Sequence, residues 1–212
     1  MKKTTLISSI LILIIFATSA YFYSTLPDTM ATHWGISGQP NGYMSKFWGA
    51  FFTPLLAVIM FGLLMIVPTI DPLRQNIEKF RKFYDGFILL MVTFMLYIHV
   101  LVLLWNLEVS VNMSVAIFPA MGVLFYYLGI LMEHAKRNWF IGIRTPWTLS
   151  SDNVWDKTHK LGSKLFKAAG VLAFFGFLLP GAALFVIVGP LILFSLYLIL
   201  YSFLEFRKEG QA

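Results

Sequence analysis

Six long apolar stretches constrain this chain more than any other feature of its sequence. A helix needs about 20 predominantly apolar residues to cross the roughly 30 Å hydrocarbon core of a bilayer, where unpaired backbone groups are not tolerated. The stretches of this length cover residues 5–23, 49–68, 86–105, 113–131, 167–183 and 185–204. The sequence therefore predicts an all-α, polytopic bundle of about six transmembrane helices, which form a single membrane domain over residues 1–212.

The composition agrees with this class and excludes others. Apolar residues make up 58% of the chain and charged residues only 12%, which leaves too little polar surface to cover a soluble globule. The absence of cysteine excludes disulfides, thiolate metal sites and cysteine nucleophiles. The chain has a net charge of +6 but no separate basic domain. In a membrane protein, excess Lys and Arg usually lies in loops beside anionic lipid. We therefore expect contact with the bilayer and no direct binding of nucleic acid.

The positions of Lys and Arg orient the six spans. Successive loops face opposite sides of the membrane, and cytoplasmic loops carry the excess of basic residues. Every Lys and Arg except Lys46 falls on the side that holds both chain ends. We therefore expect a multi-pass protein of the bacterial cytoplasmic membrane. Both termini and the loops of residues 69–86 and 132–167 would be cytoplasmic, residues 24–48 an outer loop, and residues 184–204 the last span.

The first and last spans each raise a question. A pair of lysines, an apolar run and the small residues 17–20 have the order of a secretory signal peptide. We favour an uncleaved span because the run stays apolar and aromatic through Tyr23 without a clean cleavage pattern; cleavage would leave five spans. Pro180 and Gly181 interrupt the final apolar block and predict a hairpin between the fifth and sixth spans.

The outer loop of residues 24–48 is rich in Gly, Pro and Asn and poor in charge. This composition predicts a loop ordered by turns, with aromatic residues resting in the membrane interface. It is either a connector with an aromatic anchor or an element that faces a ligand. His33 is a weak candidate for a metal ligand, because no second His or carboxylate lies at ligand spacing.

Two segments on the predicted cytoplasmic side have amphipathic patterns. A capped helix from Ser151 and Asp152 would lie along the inner leaflet, with one lysine face and one apolar face. Its lysines are Lys157, Lys160, Lys164 and Lys167, and its apolar face holds Val154, Thr158, Leu161 and Leu165. The loop of residues 71–86 carries Ile77, Phe80, Tyr84 and Phe87 at helical spacing. We expect both segments to anchor in the membrane, with docking of a protein as the alternative.

The spans contain few groups that support chemistry. Intramembrane enzymes and ion-coupled transporters carry ionisable residues inside their helices, and His99 is the clear case here. A lone His usually bonds a neighbouring helix. Motifs of metalloproteases, serine hydrolases and phosphate-binding loops are missing from the sequence, so we expect no catalysis, cofactor or metal. Pro54, Pro119, Pro180 and Pro190 do not form a repeated pair of interrupted helices, although transport of a small molecule or lipid stays an alternative.

The cytoplasmic loop contains a motif that resembles the SdpI family of bacterial membrane proteins. Asn138 is followed by a Gly-x-Arg-Thr-Pro-Trp-Thr segment and a downstream Trp, which are Gly142, Arg144, Thr145, Pro146, Trp147, Thr148 and Trp155. From the residues alone, the Arg144 guanidinium has three candidate roles: bonding backbone carbonyls, bonding Asp152 or Asp156, or anchoring at the interface.

The outer loop carries a second motif, which is similar to the N-terminal domain of unknown function found in the same family. Its matching residues include Pro27, His33, Trp34, Gly38, Pro40 and Lys46. Many relatives have Asn where this chain has Gly35, so a contact made by that Asn does not carry over.

The resemblance implies a function with two sides. The namesake of the family is an immunity protein that protects its bacterium from a secreted peptide toxin and holds a transcriptional repressor at the membrane. By this resemblance, the outer segment from Leu26 to Lys46, with Asn106 to Asn112, would meet a peptide toxin. The inner segment from Asn138 to Lys167 would meet a repressor. A structural role in the envelope is a further alternative, because a shared scaffold does not fix function.

Overall fold

The computed structural model describes residues 2–35, 37–178 and 183–210, and most of them are helical. The elements in chain order are α1 (Lys2–Phe22), β1 (Thr29–Trp34), β2 (Pro40–Ser45), α2 (Lys46–Ile70), α3 (Arg74–Lys79), α4 (Arg81–Asn106), α5 (Met113–His134), α6 (Pro146–Ser150), α7 (Asp152–Phe174) with a 3-10 turn (Phe175–Leu178), and α8 (Ala183–Glu209). Within these residues, six helices are long and apolar enough to cross a membrane, namely α1, α2, α4, α5, α7 with its 3-10 turn, and α8. The predicted helical bundle of six spans is confirmed. The predicted hairpin at Pro180 and Gly181 lies outside the described residues.

Apolar side chains cover the outside of the bundle as well as its interior. Leu13 of α1, Leu63 of α2 and Leu193 of α8 are 66%, 55% and 66% exposed. Such surfaces are stable against lipid tails and unstable against water. The chain is therefore a multi-pass membrane protein.

The irregular segments collect at the two ends of the bundle. We call one end the hairpin side; it holds β1, β2 and the connection of residues 107–112. The other end, the basic side, holds α3, the connection of residues 135–151 and the last turn of α8. Hydrogen bonds join these parts, since Asn76 of α3 bonds the Arg137 carbonyl and Asn153 of α7 bonds Glu209 of α8. The basic side corresponds to the side that the Lys and Arg pattern assigns to the cytoplasm.

Helices α5 and α7 pack backbone against backbone. A Cβ atom at Gly170 would lie 2.5 Å from the Tyr126 backbone nitrogen, and one at Gly122 would lie 2.5 Å from the Phe174 nitrogen. Small residues permit this approach, and in lipid close van der Waals packing is the main force that joins helices. The two glycines therefore determine where α7 sits.

A polar contact joins three helices near the hairpin side. Ser19 of α1 donates to the Ala50 carbonyl of α2 at 2.7 Å, and its hydroxyl oxygen lies 3.0 Å from Nε2 of His99 on α4. His99 is fully buried. The expectation that this lone His bonds a neighbouring helix is confirmed, and α1 is an integral part of the bundle.

The prolines inside the spans do not interrupt them. Pro54 lies in α2, Pro119 in α5 and Pro190 in α8, and each helix continues through its proline. The broken helices that typify many transporters are therefore not found at these three positions.

The prediction of an amphipathic helix along the inner leaflet is wrong. The segment from Asp152 continues without a break into the fifth span as α7. Its Val154 and Thr158 are fully buried, and α7 packs against α5 and α8. The apolar face thus meets helices rather than lipid, because glycines of α5 and α7 bring the two backbones together. The loop predicted over residues 132–167 is accordingly short, spanning the end of α5 to the start of α7.

Membrane anchoring of residues 71–86 is also wrong for most of the predicted side chains. Ile77, Phe80 and Tyr84 are at most 1% exposed and form a core cluster with Trp155 of α7. The helical spacing of these residues correctly predicted an apolar face that is shielded from water. It did not show whether lipid or protein covers that face, because both are apolar in a membrane protein. Segment 71–86 is therefore part of the core on the basic side.

Replacing Gly170 by Ala should destabilise the bundle by about 1–3 kcal/mol, because the new methyl overlaps the backbone of α5. Gly62→Ala is the matched control, since a Cβ there meets nothing within 4 Å. Thermal unfolding in detergent should show a lower midpoint for Gly170→Ala and an unchanged or higher one for Gly62→Ala. Equal midpoints for the two variants would contradict the close packing of α5 and α7.

Candidate functional site

The outer segment is a β-hairpin rather than the loop of turns that the sequence predicted. Strands β1 and β2 pair antiparallel, with Thr29 opposite Ser45 and Ala31 opposite Tyr43, and a bulge follows Ala31. The tip is closed by a bond from the Gly35 nitrogen to the Gln39 carbonyl at 2.9 Å, and Gly38 has a φ of +76°. The sequence did not reveal these strands, because six residues give only a weak alternation of apolar and polar side chains. The many Gly, Pro and Asn residues favoured turns instead.

A buried asparagine fastens the hairpin to the bundle. Asn106, the last residue of α4, accepts from the Ala31 nitrogen at 2.8 Å and donates to the Ala31 carbonyl at 2.9 Å. It also donates to Val102 within its own helix. The side-chain amide therefore pairs with the outer edge of β1 as a neighbouring strand would.

Apolar contacts complete the attachment of the hairpin. Met30 is fully buried, and a Cβ at Gly49 of α2 would lie 2.6 Å from the Met30 Cβ. Trp34 meets Trp105 of α4 edge to face, with ring centroids 5.8 Å apart. The hairpin is thus held by α2 and α4 together.

An open groove of about 470 Å³ lies between the hairpin and the connection after α4. It is lined by Pro27, Thr29, Ala31, Gln39, Tyr43, Trp105, Asn106, Glu108, Val109, Ser110 and Val111. We call it the hairpin groove. The structure therefore brings together the two segments that were expected to meet a ligand jointly.

Most of the predicted outer residues shape the hairpin instead of lining the groove. Pro27 lines it, whereas His33 bonds Asn41 at 2.5 Å, Gly38 belongs to the tip, and Pro40 begins β2 opposite Trp34. Lys46 begins α2 and pairs with Asp28 at 3.6 Å. Among the described residues, no group of three His, Asp or Glu side chains could hold a metal ion.

On the basic side, Asn138 organises the connection of residues 135–151, which we call the inner loop. Its buried side chain accepts from the nitrogens of Phe140 and Ile141 at 2.9 and 2.6 Å, and donates to the carbonyls of Lys136 and Ile141. One side chain thereby satisfies four backbone groups that the turn leaves without helical partners. Asn138 is a structural centre of the motif.

Gly142 and Trp155 meet at a histidine that the sequence interpretation overlooked. Gly142 has a φ of +104°, and a Cβ there would lie 2.3 Å from Nε2 of His159. That nitrogen accepts from the Ile143 nitrogen at 3.0 Å, and the His159 ring stacks on Trp155 at 3.9 Å. Trp155 donates to the Ala135 carbonyl at 2.8 Å. Gly142 is therefore required for tight contact with α7.

Thr145 and Thr148 cap the short helix α6 and join it to α8. Their hydroxyls and backbone nitrogens form a reciprocal capping box, with Pro146 in the first turn. The Thr145 hydroxyl also lies 3.0 Å from the hydroxyl of Ser202 on α8. Trp147 packs on Phe203, with ring centroids 5.1 Å apart. The Thr-Pro-Trp-Thr segment thus docks the inner loop onto the last span.

Arg144 uses a backbone carbonyl, which was one of its predicted alternatives. Its guanidinium donates to the Trp139 carbonyl at 2.8 Å. The two candidate carboxylates have other partners, since Asp152 pairs with Arg137 at 2.7 Å and Asp156 with Lys136 at 3.2 Å. Arg144 itself is exposed, so its remaining donors face the surroundings of the loop.

Asp71 is a second residue in contact with the inner loop that sequence reasoning missed. It follows α2 directly, is 2% exposed, and accepts from the Leu73 nitrogen at 2.6 Å and the Trp139 nitrogen at 2.9 Å. The peptide groups of Trp139 are therefore held on both sides, while its ring is 51% exposed. A lone acid at the end of a span, before a proline, was the available signal.

Two family models and a relative of known name match parts of this chain. The model of a domain of unknown function, DUF1648, matches residues 10–58, and that of the SdpI/YfhL protein family matches residues 134–202. The chain is 29% identical over 179 residues to the Immunity protein SdpI of Bacillus subtilis (strain 168), covering 82% of this chain and 83% of that protein. The similarity to the SdpI family covers residues 134–202 in the family model and most of the chain in this relative. No solved structure matches it.

The two family models cover part of each site, while residues 105–111 of the hairpin groove and Asp71 lie outside both matches. The first covers the second half of α1, β1, β2 and half of α2; the second covers the inner loop, α7 and most of α8. The chain is thus a homologue of an immunity protein along most of its length.

Replacing Asp71 by Asn should loosen the inner loop, because an amide cannot accept from both the Leu73 and Trp139 nitrogens. We expect hydrogen exchange at the Trp139 amide to accelerate about tenfold, which corresponds to the roughly 1–2 kcal/mol lost with one buried hydrogen bond. Asp152→Asn is the control, since Asp152 is exposed and pairs with Arg137. Unchanged exchange in Asp71→Asn would show that this carboxylate does not hold the loop.

Proposed function

We propose that this protein confers immunity to a secreted antimicrobial peptide toxin at the bacterial cytoplasmic membrane. In this proposal the hairpin side faces outward and meets the toxin, and the basic side faces the cytoplasm. The name of the Bacillus subtilis relative supports immunity, and the distribution of Lys and Arg supports the orientation. The role is binding rather than catalysis.

One observation carries this proposal: two helices connect the hairpin directly with the inner loop. Helix α2 begins at Lys46, immediately after β2, and is followed by Asp71, which holds Trp139. Helix α4 carries Tyr84 in the core of the basic side and ends at Asn106, which holds Ala31. Both helices are continuous from one side of the bundle to the other, which gives a displacement at one end a route to the other end.

This connection supports signalling as a second part of the function. A ligand outside can change an inner surface only if it binds two arrangements of the helices with different affinity. Hydrogen bonds at both helix ends give such a change a physical route. We propose that toxin in the hairpin groove shifts α2 and α4 and thereby alters the inner loop.

The inner loop offers a compact surface for a cytoplasmic repressor. Trp139 and Phe140 are 51% and 39% exposed, and Arg144 and Pro146 are exposed beside them. An exposed aromatic pair with an arginine is typical of the centre of a protein interface. Binding of a repressor to this surface would hold it at the membrane and so link the presence of the toxin to transcription.

Survival of a toxin-sensitive Bacillus-type cell, challenged with an SDP-type peptide, tests immunity and orientation together. Wild-type protein should protect, and Ser110→Trp should not, because the indole fills the groove that Ser110 lines. Thr25→Trp is the matched control on the same side, since Thr25 lies outside the groove; it should protect like wild type. Arg144→Ala should also protect, while losing recruitment of the repressor to the membrane.

Three results would contradict parts of this proposal. Absence of protection by correctly inserted wild-type protein would overturn immunity, and solute flux in proteoliposomes without toxin would favour transport. Loss of protection in Arg144→Ala together with full protection in Ser110→Trp would move the decisive contact to the inner loop.

A further inference from the structure

We infer that the hairpin groove binds an extended peptide segment whose positively charged group sits at Glu108. This inference rests on the proposed function and adds the chemistry of the ligand. It follows from the edge of β1, the charge of Glu108 and the backbone conformation at that residue.

Two residues of β1, Thr29 and Ala31, line the groove beside Asn106. Along an antiparallel strand, alternate residues direct their N–H and C=O groups to the same edge. Ala31 directs both groups to the edge away from β2, where Asn106 bonds them. Thr29 lies two residues earlier in the same register and lines the groove, so its peptide groups face that edge. An extended peptide in the groove continues the pairing that Asn106 begins, which is recognition by strand addition.

The charge of the groove comes from one carboxylate. Glu108 lines the groove and is exposed. Within the described part of the chain, no hydrogen bond or ion pair engages its carboxylate. The other charged residues in segments 23–48 and 105–112 are Asp28 and Lys46, which pair with each other. Glu108 therefore gives the groove a net negative charge that favours a cation.

The backbone at Glu108 strengthens this interpretation. Glu108 has a φ of +61°, in the left-handed region where glycine usually ends a helix. A non-glycine residue there is strained by about 1 kcal/mol or more. The carboxylate also lies at the C-terminus of α4, whose last carbonyls carry partial negative charge. Glu108 thus combines a strained backbone with repulsion between its carboxylate and the C-terminus of α4. A bound cation relieves this repulsion.

The test measures binding of an SDP-type peptide to wild-type protein and to Glu108 variants in nanodiscs. We expect the dissociation constant to rise about threefold to tenfold in Glu108→Gln and more than about tenfold in Glu108→Lys, with smaller differences at high salt. Glu108→Gly should weaken binding like Glu108→Gln while raising thermal stability, because it relieves the backbone. Glu78→Lys, which reverses an exposed acid on the basic side, is the control and should bind like wild type.

The outcomes separate this inference from the proposed function. Binding by wild-type protein with equal affinity in Glu108→Lys would overturn the cation site and leave immunity standing. Tighter binding in Glu108→Lys would show an acidic ligand, with the same consequence. Failure of wild-type protein to bind the peptide and to protect cells would overturn the proposed function and this inference together.

Discussion

Two buried side chains at the ends of spanning helices hold the rest of the structure in place. Asn106 at the end of α4 bonds both peptide groups of Ala31, and Asp71 after α2 bonds the nitrogens of Leu73 and Trp139. Near a bilayer, irregular backbone is stable only where its polar groups find partners within the protein. The hairpin and the inner loop owe their defined shapes to these contacts, and both sites depend on them.

The contacts of Asn106 and Asp71 also connect the hairpin and the inner loop to the same pair of helices. Helix α2 begins directly after the hairpin and contacts the inner loop through Asp71, while α4 holds the hairpin through Asn106. The glycine contacts of α5 and α7 fix the frame against which α2 and α4 would move. Coupling between two such sites would also require two arrangements of the helices that the ligand binds with different affinity.

Much of the fold follows from the sequence, because apolar length and basic loops are direct consequences of the bilayer. The six spans and the interhelical role of His99 were predictable on these grounds. The partners of apolar stripes were not, since lipid and protein interiors are equally apolar; Phe80 and Val154 were assigned to lipid and are buried in protein. A motif such as Gly142 to Thr148 marked the inner loop, but its partners His159 and Ser202 are distant in sequence and gave no signal. The short strands of the hairpin were likewise hidden by their turn-forming residues.

The proposed coupling runs from the hairpin groove to the inner loop through α2 and α4. Hydrogen exchange of the protein in nanodiscs, with and without an SDP-type peptide on the hairpin side, tests it most directly. We expect altered exchange at Thr29 and Ala31 and also at Trp139 and Phe140, with the second change abolished in Asp71→Asn. Changes confined to the hairpin and residues 107–112 would contradict the coupling.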